Sequence, residues 1–131
     1  MMDRACTKSG SPYEAAIGFS RAVRVGDRIL VSGTAAIEPD GSSTPGEAAA
    51  QTRRVLAIIG AAIEELGGSM RDVVRTRMFI VDPADAEKVG AVHGEVFGDV
   101  RPAATMVVVS ALLRPEWRVE IEAEALIRNA R

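Results

Sequence analysis

The sequence predicts an α+β fold, a single domain over residues 1–131 in which a six-stranded mixed sheet carries two helices on one face. Six short runs are apolar or alternate between apolar and polar residues, as strands do. Two longer runs place apolar residues close to every 3.6 positions, as helices do. A composition of 47% hydrophobic and 26% charged residues is typical of one globular domain.

Composition also disfavours several functions. A net charge of −2 and only 4% aromatic residues make nucleic acid an unexpected partner, although a local basic patch stays open. One cysteine, Cys6, and one histidine, His93, cannot form a Cys/His metal site, and we expect neither a metal nor another cofactor. No apolar run approaches ~20 residues and the first residues lack the apolar core of a signal peptide. The expectation is therefore a cytoplasmic protein without membrane contact.

The first third of the chain contains the signals of a small antiparallel sheet. Residues 1–15 are a candidate flexible N-terminal segment. Strands are predicted over residues 22–25, 28–33 and 35–37. Gly26-Asp27 separates the first two, and such a pair predicts a two-residue hairpin because glycine tolerates the positive φ of a tight turn.

A long helix is predicted to follow Thr44-Pro45-Gly46-Glu47. Thr44 is suited to the N-cap, Pro45 to the first helical position, and Glu47 can complete a capping box. The apolar period ends at Gly67-Gly68, where glycine can take the left-handed conformation that closes helices.

The second half adds a strand over residues 73–81, a helix that begins at Asp82-Pro83, and strands over residues 104–112 and 117–127. The last strand alternates strictly, which predicts apolar residues on one face and Glu120, Glu122 and Glu124 on the other. The strand before it is apolar on both faces from Met106 to Val109, as in strands buried on both sides. Because no third helix is predicted, we infer that another copy of the chain covers the second face.

Several ordered motifs resemble those of the RidA/YjgF family, also called endoribonuclease L-PSP-like. They are Ala16-Ile17-Gly18, Ile29-Leu30-Val31-Ser32-Gly33, Ala50-Gln51-Thr52, Asp72-Val73-Val74-Arg75, Val81-Asp82, Arg101-Pro102-Ala103-Ala104-Thr105 and Val119-Glu120-Ile121-Glu122-Ala123. The resemblance implies a chorismate-mutase-like fold of the bacillus type and a barrel-like homotrimer with small-molecule clefts between subunits. It further implies hydrolysis of a reactive enamine or imine to a carbonyl compound and ammonia.

The resemblance also implies site residues. Glu120 corresponds to the glutamate that positions the attacking water, and Ser32 with Gly33 to a small polar stretch that lines the cleft. The family's aromatic hydroxyl is absent, and Phe19 is the nearest candidate for its place. Ala104 stands where the deaminases have the arginine that holds the substrate carboxylate, a loss that should weaken a small carboxylate by about one to two orders of magnitude.

Six arginines that lie on or near predicted strand ends are candidates to supply the missing charge: Arg21, Arg24, Arg28, Arg101, Arg114 and Arg118. Arg101 lies three residues before Ala104 and is a possible substitute cation, with Thr105 beside it among the substrate-binding candidates. Arg118 shares a strand face with Glu120, so the two are expected to interact. The simpler interpretations are a solvated loop charge for Arg101 and a surface ion pair for Arg118.

Three functions remain open at this point. The leading one is an imine or enamine hydrolase whose substrate differs from that of the arginine-containing deaminases. The alternative is a non-catalytic trimer that binds a metabolite, because the anchoring arginine is missing. The third, implied only by the family's older name, is a ribonuclease or translation inhibitor, against which the acidic charge and the single His93 count. On the structural interpretation, Glu120, Glu122 and Glu124 are simply the wet face of a strand, and His93 is a structural residue.

Overall fold

In the computed structural model, the described residues 3–128 form one six-stranded sheet and three α-helices. The elements are β1 (Arg4–Thr7), α1 (Pro12–Ile17), β2 (Ala22–Val25), β3 (Arg28–Ala35), α2 (Ala48–Glu65), β4 (Val73–Ile80), α3 (Ala86–Phe97), β5 (Ala103–Val108) and β6 (Val119–Leu126). Short 3₁₀ turns, Met70–Asp72 and Pro83–Asp85, precede β4 and α3. The predicted α+β class and the mixed six-stranded sheet are confirmed.

The strand order is β1-β2-β3-β6-β4-β5, so the last strand of the chain lies in the middle of the sheet. All neighbours are antiparallel except β4 and β5, which are parallel and connected through α3. The predicted hairpin is confirmed, because Val25 pairs with Arg28 and Gly26 has a φ of 60°. This order places β6 between the two halves of the sheet, with its outward side chains at the centre of one face.

The N-terminal region differs from the prediction. The strand expected at residues 35–37 is the end of β3 followed by one isolated bridge between Ile37 and Ser43. The sixth strand is instead β1, which lies in the segment taken as flexible, and α1 begins there too. β1 pairs its backbone with β2 at the sheet edge and buries only Thr7, so it has no apolar pattern that sequence could reveal.

The start of α2 is another correction. The helix begins at Ala48, three residues after Pro45, and its N-cap is Glu47, which makes no side-chain capping bond. Thr44 does not cap the helix, because its hydroxyl donates to the Glu38 carboxylate at 2.5 Å. The helix predicted to begin at Asp82-Pro83 begins instead at Ala86, and Asp82 caps the 3₁₀ turn Pro83–Asp85 before it, where its carboxylate accepts from the Ala84 amide at 2.9 Å.

The core lies between the sheet and the paired helices α2 and α3. The inward residues of β6 are fully or almost fully buried there, and they are Val119, Ile121, Ala123 and Ala125. Isoleucine and valine side chains of α2 and α3 pack against them. Within residues 3–128 no helix is both long and apolar enough to cross a membrane.

Neither of the two long helices, α2 and α3, covers the opposite face of the sheet, which is of mixed character. At its centre the Arg77 guanidinium lies 2.7 Å from the Glu122 carboxylate and 3.8 Å from that of Glu124. Leu30 and Val107 flank this charged ladder and are 43% and 42% exposed. The face is therefore less apolar than the sequence of β5 alone suggested.

Candidate functional site

A β-bulge in β3 organises the candidate site. The register between β3 and β6 shifts between Val31 and Thr34, so that Ser32 and Gly33 together occupy the space of one residue opposite β6. A bulge of this kind bends its strand and redirects neighbouring side chains. Here it brings the Gly33 backbone toward the outward face of β6, where Glu120 lies.

The Glu120 carboxylate rests directly against Gly33. A Cβ placed on Gly33 would overlap with Oε2 of Glu120 and lie 3.2 Å from its carboxyl carbon. Glu120 itself is half-buried, between Ala35 of β3 and Phe79 of β4. Glycine is therefore required here for the close approach of the carboxylate to the backbone.

Arg21 stabilises the bulge through hydrogen bonds. Its Nη1 donates to the Gly33 carbonyl at 3.0 Å and to the Thr34 hydroxyl at 2.7 Å. The residue is only 8% exposed, and its Nε is enclosed without a hydrogen-bond partner in the described part of the chain. Arg21 thus places a buried positive charge beside the bulge that carries Glu120.

Burial sets the electrostatics of this pair. Desolvation raises the pKa of the Glu120 carboxyl, opposed by the positive charge of Arg21 and reinforced by the negative charge of Glu122. Desolvation lowers the pKa of Arg21, opposed by the carboxylates of Glu14 and Glu120. Glu120 is consequently a stronger base than an exposed glutamate.

Glu120 forms part of the wall of a cavity of about 250 Å³. The bulge contributes Ser32 and Gly33 to the same cavity, whose remaining lining is Ser11, Tyr13, Ile17, Phe19, Arg21, Ala35, Ile37, Leu113 and Trp117. The structure therefore brings together four of the predicted site residues, namely Glu120, Ser32, Gly33 and Phe19. The Ser32 hydroxyl donates to the Ser20 carbonyl at 2.7 Å, which fixes its orientation.

The wall next to β6 is fixed by Trp117. Its side chain is 4% exposed, and its Nε1 donates to the Ser43 hydroxyl at 3.0 Å. The Arg114 guanidinium lies 5.1 Å from the ring centroid, within the range of a cation–π contact. This wall is therefore rigid on the side away from the cavity.

Two residues of the cavity were missed by sequence reasoning. Tyr13 supplies an aromatic hydroxyl from α1, a helix that was not predicted, so the absence of a tyrosine at Phe19 does not leave the cavity without one. The available signal was Ser11-Pro12, since the Ser11 hydroxyl caps α1 by accepting from the Tyr13 amide at 3.1 Å. Arg21 was considered only as one of several arginines near strand ends.

The other predicted residues lie elsewhere in the chain. Ala104 and Thr105 are exposed on β5, which is separated from β6 by β4. Ala104 pairs with Thr76, whose hydroxyl meets the His93 ring at 2.8 Å on the helix-covered side of the sheet. Neither Ala104 nor Thr105 borders the cavity of the same subunit.

Arg101 also lies away from Glu120. It borders a separate cavity of about 380 Å³, together with Arg71 and Arg128. Its φ of 55° is the positive value of a helix-closing residue, and its amide donates to the Phe97 carbonyl at 2.8 Å. In this subunit Arg101 therefore does not supply a charge to the Glu120 cavity.

The expected interaction of Arg118 with Glu120 is wrong. Arg118 precedes β6, and its Nε donates to the Asp85 carboxylate at 3.1 Å. Asp85 is 5% exposed at the start of α3, so its buried carboxylate needs a positive partner more than the half-buried Glu120 does.

His93 occupies a structural position. It lies against Phe97 with ring centroids 4.7 Å apart, and burial lowers its pKa, which favours the neutral ring. Within residues 3–128, no group of three or more His, Cys, Asp or Glu side chains is arranged to hold a metal ion.

Comparisons with known proteins cover the whole site. The family described as Endoribonuclease L-PSP matches residues 10–127, a range that includes every residue lining the Glu120 cavity. A solved member of the YjgF/YER057c/UK114 family from Mycobacterium tuberculosis has a TM-score of 0.88 and 42% identity, over 95% of this chain and 100% of that one.

Two curated relatives extend this similarity. A protein of Streptomyces coelicolor is 38% identical over 118 residues, which is 90% of this chain and 88% of its own length. A RutC family protein of Pyrococcus abyssi is 38% identical over 109 residues, or 82% of this chain and 84% of that protein.

Proposed function

The chain belongs to the endoribonuclease L-PSP family, the YjgF/RidA family of its sequence motifs, and from this premise we propose that it hydrolyses a reactive imine or enamine. The observation that carries the proposal is the half-buried Glu120 carboxylate against Gly33 in the cavity wall. A carboxylate whose pKa is raised toward neutrality is better suited to general-base catalysis than an exposed one.

The proposed reaction adds water across the C=N bond. The imine reacts in its protonated, iminium form, and Glu120 takes one proton from the water as the water oxygen bonds to the imine carbon, which gives a neutral carbinolamine. Glu120 then returns this proton to the nitrogen. As the C–N bond breaks, Glu120 takes the hydroxyl proton and passes it to the departing ammonia, so that the products are a carbonyl compound and an ammonium ion and Glu120 is left as it began. Tyr13 lines the same cavity, and we propose that its hydroxyl hydrogen-bonds the substrate.

We further propose that the working form is a homotrimer, as the family resemblance implies. Two features support this proposal. One face of the sheet is covered by neither α2 nor α3 and exposes Leu30 and Val107. The β5 edge with Ala104 and Thr105 can border a Glu120 cavity only if it belongs to another subunit. Sedimentation velocity at working concentration tests the trimer, and a stable single subunit would contradict it.

The catalytic proposal is tested by ammonia release from a panel of imines and enamines. Glu120→Gln should lower kcat/KM by about 10²–10⁴-fold, the usual contribution of a general base. Glu122→Gln is the matched control, because Glu122 is the next outward residue of β6 but pairs with Arg77 and does not line the cavity. Equal activity of both variants, or no acceleration with any member of the panel, would reject the proposal.

A second candidate is a trimer that binds a metabolite without turnover. One observation favours it. Among the described residues that line the cavity, the only guanidinium is that of the buried Arg21, which already donates to Gly33 and Thr34. The cavity therefore lacks a free cation that would orient a substrate for reaction. A ligand at ~100 times its dissociation constant would then add about 2.7 kcal/mol to the free energy of unfolding without ammonia release.

A further inference from the structure

We infer that this site selects imines or enamines that are neutral or cationic and carry an apolar group, and that it discriminates against substrates with a carboxylate. This inference rests on the proposed hydrolase function, because it names the substrate class of the same cavity. It is carried by the charges of the cavity, the hydrogen bonds of its one arginine and the character of its rim.

The charge inventory of the cavity is short. Among the described residues that line it, only Arg21 and Glu120 are charged. The hydroxyls of Ser11, Tyr13 and Ser32 are neutral. A ligand that lies beside Glu120 therefore meets a carboxylate on one side and uncharged groups of the same subunit on the others, unless Arg21 can reach it. Ala104 and Thr105, which we propose border the cavity from a neighbouring subunit, are uncharged as well.

Arg21 is poorly placed to hold a ligand carboxylate. An arginine binds carboxylates best through two parallel N–H bonds from its fork. Nη1 of Arg21 is committed to the Gly33 carbonyl and the Thr34 hydroxyl, and Nε is fully enclosed. Because the residue is only 8% exposed, its charge acts on the backbone and on Glu120 rather than presenting a free fork to a ligand.

The nearest other arginines face a neighbouring cavity. This second cavity, of about 430 Å³, shares the wall of Ser11, Arg21, Ala35 and Ile37 and is lined by Arg54 and Arg114. Arg54 donates to the Ile37 carbonyl at 2.8 Å, and Arg114 donates to the Gly41 carbonyl at 3.0 Å. Their hydrogen bonds hold both guanidinium groups outside the Glu120 cavity.

The rim of the Glu120 cavity is apolar and is therefore suited to a hydrocarbon substituent of the substrate. Ile17 and Leu113 line it and are 65% and 70% exposed, an unusual exposure for such side chains on a cavity. Phe19 and Trp117 add aromatic surface. A volume of about 250 Å³ lies below the ~300–1,000 Å³ of cavities that enclose drug-sized ligands, so the apolar group is small.

The same charges favour an iminium cation. An imine without a carboxylate is a cation when its nitrogen is protonated, and the ionised Glu120 attracts it, whereas a carboxylate substituent would be repelled. Addition of one water to the iminium, with loss of the C–N bond, gives one carbonyl compound and one ammonium ion. No oxidant, reductant or further reactant is required.

The first test compares two imines that differ only in the carboxylate. One is made in place from phenylalanine by a flavin-dependent amino-acid oxidase, the other from phenethylamine by a flavin-dependent amine oxidase, both with catalase present. With the full-length protein, kcat/KM above the spontaneous rate should be roughly tenfold or more higher for the carboxylate-free imine. Equal rates or a preference for the carboxylate would overturn the inference while leaving the hydrolase function intact.

Failure to accelerate either imine would count against the hydrolase function, and a binding experiment then decides the inference. Phenylacetamide and phenylacetate are titrated into the protein by calorimetry at about pH 8, because burial raises the pKa of Glu120 above that of an ordinary glutamate. Phenylacetamide should bind roughly tenfold or more tightly than phenylacetate. Glu120→Gln should reduce this difference, because it raises the affinity for phenylacetate. Equal binding, tighter phenylacetate or no binding of either probe would overturn it.

Discussion

The part of the sheet around β3 and β6 differs from the β5 edge in how many chain segments converge on it. Around Glu120, α1, the bulge of β3 and the segment before β6 enclose a cavity. At the other edge, Ala103, Ala104 and Thr105 are exposed on β5. One subunit therefore supplies the carboxylate together with its walls, whereas the β5 edge can act on a ligand in that cavity only from a neighbouring subunit.

Gly33→Ala should displace the Glu120 carboxylate from its position in the cavity while the fold stays intact. The new Cβ overlaps the end of the flexible Glu120 side chain and not backbone, so the carboxylate moves aside. A displacement of about 1 Å at a catalytic group costs about 10²-fold in rate. The measurements are kcat/KM and urea unfolding.

Gly94→Ala is the control for that experiment. Gly94 lies in α3 with no atom within 4 Å of an added Cβ. It should keep full activity and gain about 0.5–1 kcal/mol, because alanine is the better helix former. Unchanged activity in Gly33→Ala would show that the Glu120 position beside the bulge is not needed.

Ala104→Arg tests whether the β5 edge of one subunit borders the Glu120 cavity of another. The position is exposed and accepts a long side chain, and in a trimer the new guanidinium can reach the cavity of a neighbour. Affinity for phenylacetate should then rise by about 10–100-fold, the range expected for a charge-assisted hydrogen bond. Ala91→Arg, on the exposed side of α3, adds the same charge and should change nothing. A gain in neither variant would argue against a shared cavity.

Arg21→Met should destabilise the first region. The Gly33 carbonyl and the Thr34 hydroxyl each lose a donor in a part-buried or buried setting, which lowers the free energy of unfolding by about 1–3 kcal/mol. Arg28→Met is the comparison, since Arg28 is exposed and pairs with Glu124 at the surface, and should cost less than about 1 kcal/mol. If both variants lose the same free energy of unfolding in urea denaturation, the hydrogen bonds from Arg21 to the bulge contribute no more than a surface ion pair.

The smallest expected effect is on the pH profile. Because burial raises the pKa of Glu120, activity should fall with decreasing pH from a value above the ordinary 4.5, as the base becomes protonated. Two charges act on this carboxyl, with Arg21 lowering its pKa and Glu122 raising it. Arg21→Met should move the acid limb to higher pH, and Arg21→Lys should keep it near the wild-type position. An acid limb at or below 4.5 in the wild type would contradict the burial of Glu120.

Features that depend on local sequence were predictable. The Gly26-Asp27 hairpin and the outward position of Glu120 follow from a turn dipeptide and a strict alternation, which require no knowledge of distant neighbours. The Arg118 pairing was wrong because it depends on Asp85, a residue 33 positions away whose burial no local pattern reveals.

The cavity itself required the tertiary structure. Arg21 gains its role only where a bulge in β3 presents the Gly33 carbonyl, and the one local signal of that bulge, a glycine inside a strand, does not identify the partner of the carbonyl. Tyr13 reaches the cavity because α1 lies at its entrance, and α1 is a six-residue helix with no buried residue from which a period could be read. The alternation of strand residues therefore predicts the position of the Glu120 carboxylate but not the residues that line the cavity around it.

The chain contains a single tryptophan, Trp117, and that residue forms part of the wall beside Glu120. Its indole is sheltered from water and hydrogen-bonded to Ser43 on the far side. Emission from this one fluorophore consequently reports on the cavity alone, with no background from other indoles. A compound whose binding changes the surroundings of this indole can be detected by intrinsic fluorescence, so chemical libraries can be screened against the unlabelled wild-type protein.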